Sequence, residues 1–252
     1  MFAMRAACAV VTLALALSAS TLVAKPKVRD LASCPPWGLE KRDSTRALLN
    51  EIKHRVPPAG TPVMLTFADV AQLQRQGDAR VKGGAHAAVL AADRATLENL
   101  EIAGGRVGEG SLVSMVGFIV GRPSANKGES ANCFLPGPSN NDFELNLAPA
   151  PDATRYESIV CEMIPQDRPA AWTIGRLRRL AIDRRQVLVV GQLMLDTWHL
   201  PNPTKGTNDE SPRVSTWEIH PVTRLLACRQ PAGSCDPKHD DQWQPVETMS
   251  EK

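Results

Sequence analysis

Two apolar runs, SLVSMVGFIVG at Ser111–Gly121 and QVLVVGQLMLD at Gln186–Asp196, each carry a glycine near the middle. Short runs rich in Val, Ile and Leu read as buried strands. A glycine in mid-strand marks a place where the strand bends sharply or another backbone comes close. Two such strands in one chain point to a sheet that curls and closes. Between them, DFELNLAP alternates cleanly, with Phe143, Leu145 and Leu147 on one face and Asp142, Glu144 and Asn146 on the other. That period of two predicts a half-buried strand. YESIVCEMIP predicts a third, ended by Pro165.

A helix follows in AAWTIGRLRRLAI, where Trp172, Ile174, Leu177 and Ala181 recur at helical spacing and Pro169 suits the first turn. The fifth strand begins near Val214. The order is strand, strand, strand, helix, strand, strand. This predicts a mainly β fold, a five-stranded OB-like barrel with one helix between its third and fourth strands. Pro and Gly number 20 and 17 against 4% aromatic residues, which suits a loop-rich β protein better than a helical bundle.

Residues 25–110 read as a helical or irregular segment ahead of the barrel. Asp43–Val56 has Leu48, Leu49, Ile52 and Val56 on one side and stops at Pro57 and Pro58. A second helix is expected from Thr66, the candidate N-cap. The barrel domain is placed at 111–228 and a polar, loose tail at 229–252. At the other end, Met1–Ala24 has the charged start, apolar core and polar exit of a signal peptide. Its uninterrupted apolar core, Ala6–Leu17, is too short to span a bilayer. The expected location is therefore periplasmic or secreted, with no membrane span once the signal is removed. Net charge is only +2, which gives no reason to expect a polyanionic partner.

Cys8 leaves with the signal, so Cys34, Cys133, Cys161, Cys228 and Cys235 remain. An oxidising compartment permits pairing. Cys228–Cys235 is the favoured pair, with Pro231 and Gly233 helping the chain turn between them; Cys133–Cys161 is the second choice, leaving one thiol over.

The sharpest chemical constellation is Asp142, Glu144, Glu162, Asp196, His199, Glu218 and His220. Alternation puts Asp142 with Glu144 on one strand face, and Glu218 with His220 on one face of the last strand, away from Trp217 and Ile219. Carboxylates and imidazoles converging on one face can bind a divalent cation or act as general base and acid. A purely structural reading has Asp196 and His199 capping a strand end, with His220–Pro221 a bulge whose imidazole bonds the backbone. The arginines at 176, 178, 179, 184 and 185 read as the wet face of an amphipathic helix rather than a nucleic-acid groove. Ser130 lacks the flanking glycines of a nucleophile elbow. Cys133 with His199 or His220 would make a Cys/His pair only if the cysteine were not in a disulfide.

WEIHPVT at Trp217–Thr223 carries a resemblance, together with GESANC at Gly128–Cys133, NDFELNL at Asn141–Leu147, GQLMLDTWH at Gly191–His199 and LNEIKHR at Leu49–Arg55. With these pieces the chain resembles a family of uncharacterised exported bacterial proteins with an OB-like domain and that carboxy-terminal motif. The resemblance implies the fold and transfers no activity. Family members usually place a histidine and a glutamate where this chain has Glu144 and Asn146, and that departure removes one imidazole from any site.

The leading functional expectation is an exported, non-enzymatic OB-like binding module for an unidentified ligand or protein partner, with no cofactor. The alternative is a metal-dependent hydrolase, phosphodiesterase-like, in which the acidic and histidine cluster holds a divalent metal. A third reading is a structural protein of the cell envelope.

Overall fold

The computed structural model describes residues 28–81, 88–199, 201, 212–230 and 235–250. The signal-like segment Met1–Ala24 and most of the loop 199–213 lie outside the described residues. The elements run α1 (Thr45–Lys53), β1 (Val63–Leu65), α2 (Phe67–Arg80), α3 (Ala91–Ala95), β2 (Leu100–Ile102), β3 (Gly105–Val107), β4 (Leu112–Ala125), β5 (Phe143–Ala148), β6 (Ile159–Met163), α4 (Ile174–Ile182), β7 (Gln186–Leu195), β8 (Trp217–Cys228) and β9 (Trp243–Pro245).

The five long or central strands close on themselves. β4 pairs with β5, β5 with β6, β6 with β8, β8 with β7, and β7 returns to β4. Every one of these pairings is antiparallel except β6 with β8. This is the closed Greek-key barrel of an OB-type fold, with α4 between its third and fourth strands. Its interior holds Phe143, Leu145 and Leu147 from β5, Cys161 and Met163 from β6, and Trp217 and Ile219 from β8, all in one apolar cluster that also takes in Trp172, Leu177 and Leu180.

Closure depends on two close approaches. A methyl group on Gly191 would stand 2.3 Å from the Pro221 carbonyl oxygen, and one on Gly117 would stand 2.7 Å from that of Ala148. The β7–β8 register shifts on both sides of Gly191, so two backbones nearly touch where the strands coil. Gly191→Ala is therefore expected to cost about 1–3 kcal/mol through overpacking. Gly104→Ala, which meets nothing within 4 Å, should stay within about 0.5 kcal/mol. Urea denaturation midpoints compare the two; equal midpoints would remove Gly191 from this role.

Several elements depart from the sequence reading. α4 starts at Ile174 with Thr173 as its N-cap, its hydroxyl accepting from the Arg176 N–H, so Pro169 lies in the turn before the helix. α1 is shorter than Asp43–Val56, because Ser44 caps it at Thr45 and it ends at Lys53. The segment ahead of the barrel also holds three short strands: β1 joins β4 in parallel, and β2 and β3 form a hairpin. The tail is packed rather than loose. β9 pairs with β8, Trp243 and Val246 are buried, and Glu247 accepts the Trp172 indole N–H at 2.9 Å. Among the described residues, no helix is long and apolar enough to cross a membrane.

Cys228 is bonded to Cys235. Cys133 is bonded to Cys34 and not to Cys161, which is free and buried. The reason is which side of the sheet each occupies. Cys161 belongs to the barrel interior, whereas Cys133 lies in the β4–β5 loop and meets the segment before α1.

Candidate functional site

Alternation turns the odd-numbered residues of β5 inward and leaves Glu144 and Asn146 outside, with Asp142 just ahead of the strand on the same side. On β6 the outer side carries Val160 and Glu162, and the first part of β8 turns Glu218 and His220 outward. The β6–β8 register sets Cys161 against Ile219, which brings Glu162 and His220 abreast. The outer face of β5 and β6 is where OB barrels usually receive ligands. Here it is roofed by the chain itself. α1 packs Leu49 and Ile52 against Met194 on the outer side of β7, and Gln192 donates to the Ile52 carbonyl at 2.9 Å. The β4–β5 loop folds over the other half, and Cys34–Cys133 ties it to the segment leading into α1.

Under this roof His220 is completely buried. Its Nδ1 lies 3.0 Å from Glu162 Oε2 and 3.5 Å from Glu218 Oε2, and its Nε2 lies 3.3 Å from Asp142 Oδ2. Each of these carboxylates has its other oxygen held by a neighbour. Asp142 Oδ1 accepts from Asn132 at 2.8 Å, Glu162 Oε1 accepts from Asn126 at 3.2 Å, and Glu218 Oε1 pairs with the buried guanidinium of Arg213. The three remaining oxygens are close to the imidazole but not aligned with its N–H directions. Neither they nor the two ring nitrogens have a hydrogen-bond partner among the described residues.

A second pair lies alongside. His199 Nδ1 is 2.7 Å from Asp196 Oδ2, and Asp196, His199 and Glu218 offer ligand-type atoms within 4.8 Å of one another. Asp196 also accepts the Trp198 N–H at 2.8 Å. Four buried carboxylates, Asp142, Glu162, Asp196 and Glu218, the buried His220 and the half-buried His199 thus meet two buried cations, Lys53 and Arg213.

The electrostatics follow from that mixture. Burial alone would lower Lys53, but the charges of Asp196 and Glu162 hold it well above the usual lysine range. Burial would likewise lower His220, and the carboxylates around it, Glu162 foremost, reverse that and hold it well above the ordinary imidazole value. Glu162 and Asp196 go the other way. Burial would raise both; His220 and Lys53 hold Glu162 well below the carboxylate range, and Lys53 and His199 do so for Asp196. Glu129, 3.8 Å from Lys53, is pushed up to about 8 by burial and by the charge of Asp142.

All seven residues singled out in the sequence lie on this side of the barrel, but they do not form one centre. Asp142, Glu162 and His220 meet, Glu218 stands behind them, and Asp196 with His199 forms a neighbouring pair. Glu144 sits directly opposite Glu162 in the β5–β6 register, an unfavourable like-charge pairing. It is drawn off by Arg155 at 3.3 Å. The His220 imidazole faces carboxylates, not the backbone, which corrects the bulge-only reading. Asp142, Glu162 and His220 are at most 3% exposed, so the roof keeps a substrate from touching them. Cys133 is in a disulfide, which excludes a Cys/His pair, and Ser130 Oγ accepts from Asn50 at 3.2 Å. Two of the helix arginines serve as ties: Arg176 donates to the Val246 carbonyl and Arg178 to that of Pro123.

The sequence reading missed Lys53, Glu129, Asn126, Asn132 and Arg213. Lys53 had a signal: it falls one turn after Leu49 and beside Ile52, on the stripe that α1 buries. The other four lie in loops, where no periodicity marks which side chains turn inward.

Where the roof ends, a cleft of about 210 Å³ opens, lined by Arg46, Lys53, Glu129, Phe134, Trp198 and His199 among others. The Arg46 guanidinium stacks 4.3 Å over the Trp198 ring. Phe134 is 56% exposed, and both it and Cys133 have φ of 54°, the left-handed region that costs a non-glycine residue energy. The Cys34 bond and the Phe134 N–H donated to the Glu129 carbonyl at 2.9 Å hold this turn in place. No family model matches the chain, and no curated protein or solved structure shows significant similarity to it.

Proposed function

We propose that this protein is an exported binding module of OB architecture whose ligand enters the cleft at the edge of the roof, and that the ligand is a small anion carrying an aromatic ring. The observation that carries the reading is an exposed phenylalanine held in strained backbone at the rim of a cleft that Arg46, Lys53 and His199 also line. Strain of this kind persists at ligand clamps when the surroundings enforce it. Arg46, Lys53 and His199 supply positive charge, and the Asp196 hydrogen bond raises His199 above its ordinary range. Glu129, pushed up to about 8, is a neutral acid at pH 7 and does not oppose an anion. Phe134 and Trp198 supply flat apolar surface. Export rests on the signal-like Met1–Ala24 segment and is supported by the two disulfides.

The test uses phenyl phosphate and benzoate as probes, with inorganic phosphate as control, and follows the tryptophan indole N–H resonances. The aromatic probes should bind about tenfold more tightly than phosphate, and Phe134→Ala should remove most of that advantage, as expected for an aromatic contact of about 0.5–1.5 kcal/mol. No perturbation of cleft resonances at millimolar probe would end the proposal.

A pH dependence follows with a definite sign. Glu129 keeps its proton in the fold to about 8, whereas an exposed glutamate loses it near 4.5. Ionisation above pH 8 puts a negative charge beside Lys53 and weakens anion binding. The groups facing Glu129 are Lys53 from α1, Asp142 ahead of β5, Glu162 from β6 and His220 from β8. Probe affinity should therefore fall as pH rises through about 8. In Glu129→Gln that step should vanish, leaving the loss of His199 charge. An unchanged profile in the variant would show that Glu129 is not the group responsible.

A further inference from the structure

We propose that Asp142, Glu162 and His220 form a binding site for one divalent first-row transition cation, enclosed between the outer face of the barrel and its roof. The proposal does not depend on the cleft ligand. It rests on five buried polar atoms that turn toward one another without hydrogen-bond partners among the described residues: Asp142 Oδ2, Glu162 Oε2, Glu218 Oε2 and both ring nitrogens of His220. Buried polar groups are almost always satisfied, and a convergent set that is not satisfied is the expected signature of an ion site.

The spacing fits. Donor atoms about 2.1 Å from a tetrahedral cation lie about 3.4 Å apart. Asp142 Oδ2 stands 3.3 Å from His220 Nε2, the separation of two donors on one cation. One donor atom from each of the three residues lies within 4.8 Å of the others, so Glu162 Oε2, 3.0 Å from Nδ1, joins them by a swing of its side chain. The surrounding bonds prepare the ligands. Asn132 and Asn126 occupy the second oxygens of Asp142 and Glu162, which fixes the carboxylates and leaves one oxygen of each for the ion. With the cation on Nε2 beside Asp142, Nδ1–H keeps a carboxylate acceptor that is not a ligand, the arrangement that orients metal-bound histidines. Glu218, held by Arg213, supplies such an acceptor on the Nδ1 side.

Charge and donor type narrow the ion. Two carboxylates and one neutral imidazole carry −2, which a divalent cation cancels. An imidazole nitrogen beside two oxygens suits zinc, manganese, iron(II) or cobalt(II), and is poorly matched to calcium or magnesium, which take oxygen ligands. The roof classes the site as a closed one, so its role is to hold α1 and the β4–β5 loop on the barrel rather than to meet a substrate.

The experiment is a titration of the chelator-treated, disulfide-intact protein with Co2+, read by its ligand-field absorption, and with Zn2+, read by calorimetry. The expected result is one cation per chain, a cobalt spectrum of low coordination number that zinc bleaches, and a rise in melting temperature. Glu162→Gln and Asp142→Asn should each weaken binding at least about tenfold, on the scale seen for ligand-shell changes. Circular dichroism checks that the variants fold, and the wild-type cobalt spectrum reports the site independently of them. Two outcomes would overturn the proposal. One is no cobalt band and no heat at millimolar metal in folded wild-type protein. The other is a nitrogen NMR spectrum in which His220 keeps both ring protons with excess zinc present, since the residue would then be a buried imidazolium held by carboxylates alone.

Discussion

Replacing Cys34 and Cys133 together by serine should lower the unfolding free energy by about 2–5 kcal/mol and loosen the roof over the acidic face before the barrel itself opens. This bridge joins residues 99 apart, whereas Cys228–Cys235 joins residues 7 apart. In the chain-entropy account the longer loop is worth about 2 kcal/mol more than the short one, because cross-linking distant residues removes more freedom from the unfolded chain. The local effect is the more telling one. The bridge pins the β4–β5 loop, which carries Glu129 and Asn132, to the segment that enters α1, which carries Lys53. Hydrogen exchange should therefore accelerate in α1 and in residues 128–135 of the double variant, while β7 and β8 stay protected. Removal of Cys228–Cys235 should leave exchange in α1 unchanged. Equal exchange profiles for the two variants would mean that the long bridge does not hold the roof.

Arg213→Met should be the most damaging single change near the site, costing about 3–5 kcal/mol. Arg213 is 1% exposed and Glu218 is wholly buried, and they form an ion pair inside the protein. Taking away the guanidinium leaves the Glu218 carboxylate without its cation in a region that already holds Asp142, Glu162 and Asp196. An uncompensated buried charge costs far more than the pair as a whole contributes. The double variant Arg213→Met with Glu218→Gln should therefore recover much of the loss. A double-mutant cycle in urea measures that coupling. A single-variant cost below about 1 kcal/mol, or no recovery in the double, would show that solvent reaches this pair and that the face is not sealed.

The barrel was legible because its strands speak in a period of two. Phe143, Leu145 and Leu147 announce which side of β5 is inward, and Trp217 with Ile219 does the same for β8. Once the inner side is known, Asp142, Glu144, Glu218 and His220 must share the outer one. The mid-strand glycines carried the curvature, since only a residue without a side chain fits where Pro221 crowds Gly191. The short strands β1, β2 and β3 escaped notice because three residues cannot display a period. The packed tail escaped because a few apolar residues, Trp243 and Val246 among them, do its work inside a polar stretch.

What the amino-acid order determined alone is therefore the set of elements, their inward and outward faces, and the choice of which charged groups stand on one side of the sheet. Periodicity is a local property and survives without neighbours. Only the tertiary structure decided that this side is covered, that Cys34 rather than Cys161 meets Cys133, and that His220 has a carboxylate at each ring nitrogen. Those facts depend on which distant segments share one small volume, and burial, pairing and charge compensation arise only after the chain has closed.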